Sequence, residues 1–220
     1  MRQLILLLLI FTATSSVFGQ RHIRLSFSGS PSVNWMSTNN SNADREKSII
    51  GYDFGLNGDF YFSEDERYSL LTGLLITNIG GEIAYRGQSD FRFSGVTLPA
   101  VSKIKYRLRY LEVPLAIKLK TDQFDRASYW GLFGLSAMLN IESKGDSDNG
   151  ALRKASIGDE VGPFNLAMNV GIGFDYDLGR SNAISTGLIF QNGLNDVTTD
   201  NAFNDKTIIN SLRLKIGLIF

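Results

Sequence analysis

In "YLEVPLAIKLK" (residues 110–120), Glu112, Lys118 and Lys120 stand on one parity, and Leu111, Val113, Leu115, Ile117 and Leu119 on the other. In "LRLKIGLIF" (212–220), Arg213 and Lys215 alternate in the same way with Leu212, Leu214, Ile216 and Leu218. On a strand successive side chains point to opposite faces. Each segment therefore carries one oily face and one charged face. If the charged faces are enclosed, the chemistry they can do is ion pairing, because a buried charge without a partner costs several kcal/mol. Glu112 is predicted to pair with Lys118 or with a cation from another strand such as Arg213, with Lys215 in the same network. Arg24, Asp53, Asp59, Lys120 and Asp175 fall on the same inward parity. Lys120, Asp59 and Asp175 fit equally well as solvated charges near the ends of an enclosure.

Other chemistry is poorly provided for. The one histidine is His22, near the start of the chain, so a Ser–His or metal–His constellation is not expected. Gly134-Leu135-Ser136-Ala137-Met138 misses the nucleophile-elbow pattern at its last position. Gly171-Ile172-Gly173 lacks the third glycine and the following helix of a phosphate loop, and reads as small-residue packing. Asp146, Asp148 and Asn149 do not have EF-hand spacing, so a solvated loop is expected rather than a Ca²⁺ site. Asn39-Asn40-Ser41 matches a glycosylation sequon at chance level. No catalytic, cofactor or metal set is predicted, and the chain is expected not to be an enzyme.

The elements that carry the charged faces recur along the chain. Period-2 alternation appears near residues 23–28, 50–62, 110–120, 128–141, 164–178, 183–194 and 211–220, and an apolar stretch at 67–83 makes the eighth strand. The run "FNLAMNVGIGFDYDLG" exceeds a usual globular strand of about 5–6 residues and the roughly 9–11 that a tilted membrane strand needs. Connections alternate strictly: short at 63–67, 121–126 and 177–181, long at 37–48, 81–105, 142–162 and 195–206. This is the order of an up-and-down barrel with short turns at one end and long loops at the other. The even strand count puts both termini at the short-turn end, expected to be periplasmic. The fold predicted is all-β: an eight-stranded antiparallel up-and-down transmembrane β-barrel, its interior just wide enough for side chains to fill it.

Residues 1–19 have a cationic Arg2, an apolar core and a small-residue cleavage site, and read as a cleaved signal peptide; residues 20–220 form the barrel domain. Past that leader no apolar run approaches the ~20 residues of a membrane helix. The chain has 0 cysteines, and its 22 basic and 22 acidic residues leave no basic field for nucleic acid. Aromatic residues sort to the strand ends. Phe60, Phe62, Tyr68, Tyr129, Phe174, Tyr176 and Phe220 lie near the short turns, and Trp35, Tyr52, Phe54, Tyr106 and Phe164 near the long loops, as two interfacial belts would require. Phe220 ends an alternating strand and is expected to be the C-terminal signal for the barrel assembly machinery. Pro114 lacks an N–H inside a paired strand, which calls for a bulge or a local opening of the ladder.

The stretch "YLEVPLAIKLKT", with Tyr110, Leu111, Glu112 and Pro114, resembles a signature of the PorT-like outer-membrane barrel family of Bacteroidetes. The likeness extends through "YWGLFGLSAMLNI", "GLIFQNGLNDV" and "LRLKIGLIF"; the first half of the chain is similar only in layout. The resemblance implies a Gram-negative outer-membrane location and makes Pro114 a family feature. It also implies, through the family's namesake, a link to type IX secretion, and it transfers no catalytic or ligand residue. Expected partners are outer-membrane lipid, lipopolysaccharide and the assembly machinery. The role expected is structural, in the envelope or accessory to secretion. A small-solute porin and a barrel that binds partners through its long loops are the alternatives. The basic, aromatic 84–107 stretch would serve the latter, although strands continuing past the membrane fit it better. A lipocalin-like carrier would need the opposite polarity, oil within and charge without.

Overall fold

Alternation becomes architecture in eight strands: β1 (Ile23–Thr38), β2 (Ile49–Tyr61), β3 (Tyr68–Arg86), β4 (Val101–Lys120), β5 (Ala127–Ser147), β6 (Phe164–Gly179), β7 (Asn182–Gly193) and β8 (Thr207–Ile219). The computed structural model describes residues 23–39, 43–62, 64–87, 89–199 and 206–220. The leader, His22, Asn40 and Ser41 lie outside them. Each strand pairs antiparallel with its neighbour in sequence. β8 returns to β1, from Ser26 opposite Ile219 to Thr38 opposite Thr207. The Phe220 amide donates to the Leu25 carbonyl at 2.9 Å. The sheet is thus a closed cylinder without an edge, the form in which a β-sheet can meet hydrocarbon.

The short connections are tight. β6 and β7 are joined by Arg180 and Ser181 alone, with Gly179 (φ +92) and Arg180 (φ 61) in the left-handed region that such a hairpin demands. On the outer face Leu115 is 56 % exposed and Ile172 68 %, and they belong to a continuous belt of aliphatic and aromatic side chains around the cylinder. Water does not tolerate an apolar surface of that extent, whereas lipid does.

β3, β4 and β5 run 19, 20 and 21 residues, about twice the length a bilayer needs. Their excess explains two corrections. Of the segments read as loops, 81–105 is largely strand, and 142–162 is strand over 142–147 and again at Ala155–Ser156. β3 continues to Arg86, β4 begins at Val101, and β5 runs to Ser147. What remains between β3 and β4 folds into a small hairpin, Phe91–Phe93 with Val96–Leu98. Along β4 the period of two never breaks, but its polarity inverts at Tyr110–Leu111. Below that point Leu111, Val113 and Leu115 face out and Glu112 and Lys118 face in. Above it Lys103, Lys105, Arg107 and Arg109 face out, while Ile104, Tyr106, Leu108 and Tyr110 are buried. On β5 a bulge places Arg109 opposite Glu142 but Tyr110 opposite Asn140; beyond it Glu142, Lys144 and Asp146 face out and Ser143, Gly145 and Ser147 face in. Tyr106 is therefore not a belt residue. Its inward parity buries it completely, with its hydroxyl 2.6 Å from that of Tyr85.

Pro114 causes no bulge. The β3–β4 register is the same on both sides of it, and the pairing simply lapses between Thr72–Leu115 and Leu75–Glu112. Pro31 does the same on the β1–β8 side, between Gly29–Ile216 and Ser32–Arg213. In each case the partner strand loses the donor that proline lacks, and the ladder resumes two residues later.

Candidate functional site

The inward face holds Asp53, Asp59, Glu112 and Asp175 against Lys118, Lys120, Arg213 and Lys215, four acids facing four bases. Their pairing follows geometry across the lumen rather than proximity in sequence. Arg213 on β8 lies diametrically opposite Glu112 on β4. Its Nη2 is 3.0 Å from Oε2 and its Nη1 3.3 Å from Oε1. Glu112 also accepts from Thr77 (2.7 Å), Ser136 (2.7 Å) and Gln191 (2.8 Å). A carboxylate 1 % exposed thus has donors on both oxygens, the condition under which a buried charge is tolerable.

The network continues around the wall. Asn169 donates to Ser136 at 2.7 Å, and Gln191 donates to Asn169 at 3.0 Å. Arg213 approaches Asp53 at 3.6 Å, and Ser30 donates to Asp53 at 3.0 Å. Ser30, Asp53, Thr77, Glu112, Ser136, Asn169, Gln191 and Arg213 come one from each strand, β1 to β8 in order. A slip of one residue in any strand would turn its member out of the lumen. This belt therefore ties the register of the whole cylinder to a single set of polar contacts.

Nearer the short turns is a second cluster. Lys118 Nζ is 3.0 Å from Asp59 and 3.4 Å from Asp175, and Lys120 is also 3.4 Å from Asp175. Lys118 and Lys215 lie 5.5 and 5.7 Å from the centroid of the Trp130 ring. That indole is only 3 % exposed and fills the lumen over Gly173 and Gly187, where a Cβ would come within 2.3 and 2.6 Å of it. Among the described residues no carboxylate lies within ion-pair distance of Lys215. The single network read from the sequence is thus two. Glu112 and Arg213 belong to one, Lys118 to the other, and Lys215 rests against Trp130.

Sequence reasoning placed Asp53, Asp59 and Asp175 inside, with Ser136, Asn169 and Gln191 on the same face, but left Trp130 and Thr77 unassigned and did not give the neutral residues a part in the network. Their common signal was inward parity, which an uncharged side chain does not advertise. Of the motif residues, Glu112 and Pro114 face the lumen, Leu111 begins the lipid belt, and Tyr110 is buried at the floor of the apolar region above it. Phe220 is exposed at the short-turn end, 52 % accessible.

Buried side chains fill the lumen at the level of the network and again above it. A void of about 40 Å³ beside Glu112, Asp53 and Arg213 has room for a few waters. Above the belt Ile79, Ile83 and Tyr85 of β3 and Ile104, Tyr106 and Leu108 of β4 form an apolar cluster joined by Phe93, Leu98, Leu152, Ile157, Val161 and Val197 from the connections. These connections are tied together: Glu160 accepts from the Ser94 amide at 2.7 Å, and the Thr199 amide donates to the Glu160 carbonyl at 3.1 Å. Among the described residues no group of His, Cys, Asp and Glu is arranged to hold a metal ion.

Residues 17–199 match the family described as "Outer membrane protein beta-barrel domain". By sequence, no curated protein matches the chain. Several solved structures are similar in overall form. Neisserial surface protein A is 13% identical, with 89% of this chain and 95% of that one covered and a TM-score of 0.48. OprG from Pseudomonas aeruginosa is 10% identical, with 92% and 98% covered and a TM-score of 0.47. Ail, the attachment invasion locus protein of Yersinia pestis, is 14% identical, with 90% and 98% covered and a TM-score of 0.42.

Proposed function

The chain belongs to the outer membrane protein beta-barrel domain family, and from that premise we propose that it is a sealed, non-enzymatic barrel of the Gram-negative outer membrane with a structural or secretion-accessory role. The observation that carries this reading is the lumen: a polar belt drawn from all eight strands, with Trp130 below it and an apolar cap above. A wall-to-wall network of this kind serves register and rigidity. The void beside it is only about 40 Å³, which weighs against the porin alternative. Ile23, the first described residue, and Phe220 both stand at the short-turn end, and we place that end in the periplasm, where Phe220 would be presented to the assembly machinery. The charged connections would then face outward, toward lipopolysaccharide.

The finer placement, PorT-like and connected to type IX secretion, rests on "YLEVPLAIKLKT", whose Tyr110–Leu111 step coincides with the inversion of polarity. The test of the sealed barrel is conductance. Purified protein in planar bilayers is expected to give no stepwise current under applied voltage. A steady open channel would replace this reading with that of a porin.

A further inference from the structure

Where the belt ends, the outer face of the barrel carries a groove of about 670 Å³ with Gly80 at the level of its floor. One side is cationic: Lys105, Arg107, Arg109, Lys144 and Lys154 line it, with Glu142 as the one acidic lining residue. The other side is apolar: Ile50 is 86 % exposed and Tyr52 51 %. Arg107 is paired with Asp146 at 3.0 Å, and Arg109 with Glu142 at 2.9 Å, an acid that also meets Lys144. Among the described residues Lys105 and Lys154 have no carboxylate within ion-pair distance. Lys154 is exposed, with its backbone in the left-handed region, φ 47.

We infer that this groove binds the phosphorylated sugar headgroup of an outer-leaflet glycolipid, with phosphate at Lys105 and Lys154 and the first carbons of the acyl chains against Ile50 and Tyr52. Three features select that occupant. The excess of cations calls for an anion, and lysines without partners provide point charges for phosphate. The volume lies in the range of a small-molecule site and suits a disaccharide. The groove opens directly above Ile76 and Leu111, where the outward residues change from aliphatic to charged. An anchored lipid bound there keeps its chains in the bilayer, whereas a free anion would leave the apolar wall uncovered. The inference rests on the outward orientation of the long connections proposed above.

The test uses the full mature protein in detergent and diphosphorylated lipid A as the probe, with binding read by native mass spectrometry. Dephosphorylated lipid A and inorganic phosphate serve as the comparison arms. Lys105→Gln with Lys154→Gln is expected to weaken lipid A binding by about tenfold or more, the effect of losing charge-assisted contacts. The unfolding midpoint without lipid should stay unchanged, since among the described residues neither lysine side chain is in an ion pair. Equal binding of dephosphorylated lipid A, or of lipid A by the double variant, would overturn the site. Full competition by inorganic phosphate would reassign it to a free anion. Orientation is read separately by labelling Lys154→Cys in intact cells with a membrane-impermeant maleimide. Labelling without lipid A binding rejects this inference alone; no labelling, with the probe reacting only after lysis, rejects the orientation beneath it.

Discussion

Arg213 and Glu112, 101 residues apart in sequence, meet across the full width of the barrel with two hydrogen bonds, at 3.0 and 3.3 Å. No other contact in the described structure so directly joins the last strand to the family-like motif on the fourth. Removing one member of such a buried pair strands the other charge, at a cost of about 3–5 kcal/mol. Glu112→Gln is therefore expected to lower the denaturation midpoint of the folded barrel in detergent clearly. Glu112→Gln with Arg213→Met should recover part of the loss. An unchanged midpoint for the single variant would show that the pair contributes nothing.

Much of this was legible beforehand. Inward parity identified Glu112, and the need for a partner brought Arg213 forward beside Lys118 as a candidate. The partners of Lys118 were not legible as a set, because Asp59 and Asp175 stand on β2 and β6, two strands away on either side. Which residues share a level inside a cylinder depends on the stagger of every strand, and alternation alone does not reveal it. The inversion along β4 was hidden for a related reason. A search for oil facing out stops at Leu111, although the same strand continues with oil facing in.

Asn169 illustrates the difference between face and role. As a polar lumen residue it reads as exchangeable, and Asn169→Ser as tolerated. Its amide, however, links Ser136 and Gln191. Each hydrogen bond lost there costs about 1 kcal/mol, so Asn169→Ser is expected to destabilise measurably in an equilibrium urea titration, while Ala116→Ser should do little.

On the lipid side the sign of the argument reverses. Leu115 and Val170 are 56 % and 42 % exposed in the middle of the belt. Arginine at such a position costs about 2–4 kcal/mol when it lies near the bilayer midplane. Leu115→Arg and Val170→Arg are expected to reduce the fraction of protein that shows heat-modifiable mobility after refolding. A normal folded fraction for both would mean that these residues do not meet lipid.

Trp130 fills the lumen near the short turns, against Gly173 and Gly187. Truncating a large buried aromatic costs about 3–5 kcal/mol. Trp130→Ala should lower the midpoint, and Gly187→Ala should also lower it, since a Cβ there would come within 2.4 Å of the Ile172 carbonyl and 2.6 Å of the indole. If both variants matched the parent, the ring would have to lie elsewhere.

Acid acts on the short strand Ala43–Lys47, which pairs with the end of β3. The Lys103 ammonium hydrogen-bonded to Glu46 holds that carboxyl below the usual carboxylate range. Because the folded value is the lower one, the pair's contribution is fully present above the unfolded value, about 4.3, and is lost as pH falls through the folded one. Hydrogen exchange in the strand Ala43–Lys47 is expected to keep its pattern of protection from pH 8 to pH 5 and to lose it only under stronger acid. Loss of protection between pH 7 and pH 6 would contradict this pairing.

The most direct test needs no substitution. With the protein in bilayers containing a lipid that carries a nitroxide deep in its acyl chain, methyl resonances report which side chains touch hydrocarbon. Leu115, Ile117, Val170 and Ile172 should broaden strongly, while Leu71, Leu75 and Leu132, which face the lumen, should stay sharp. The reverse pattern, sharp Leu115 and Val170 with broadened Leu71 and Leu132, would mean that the cylinder carries its oil inside.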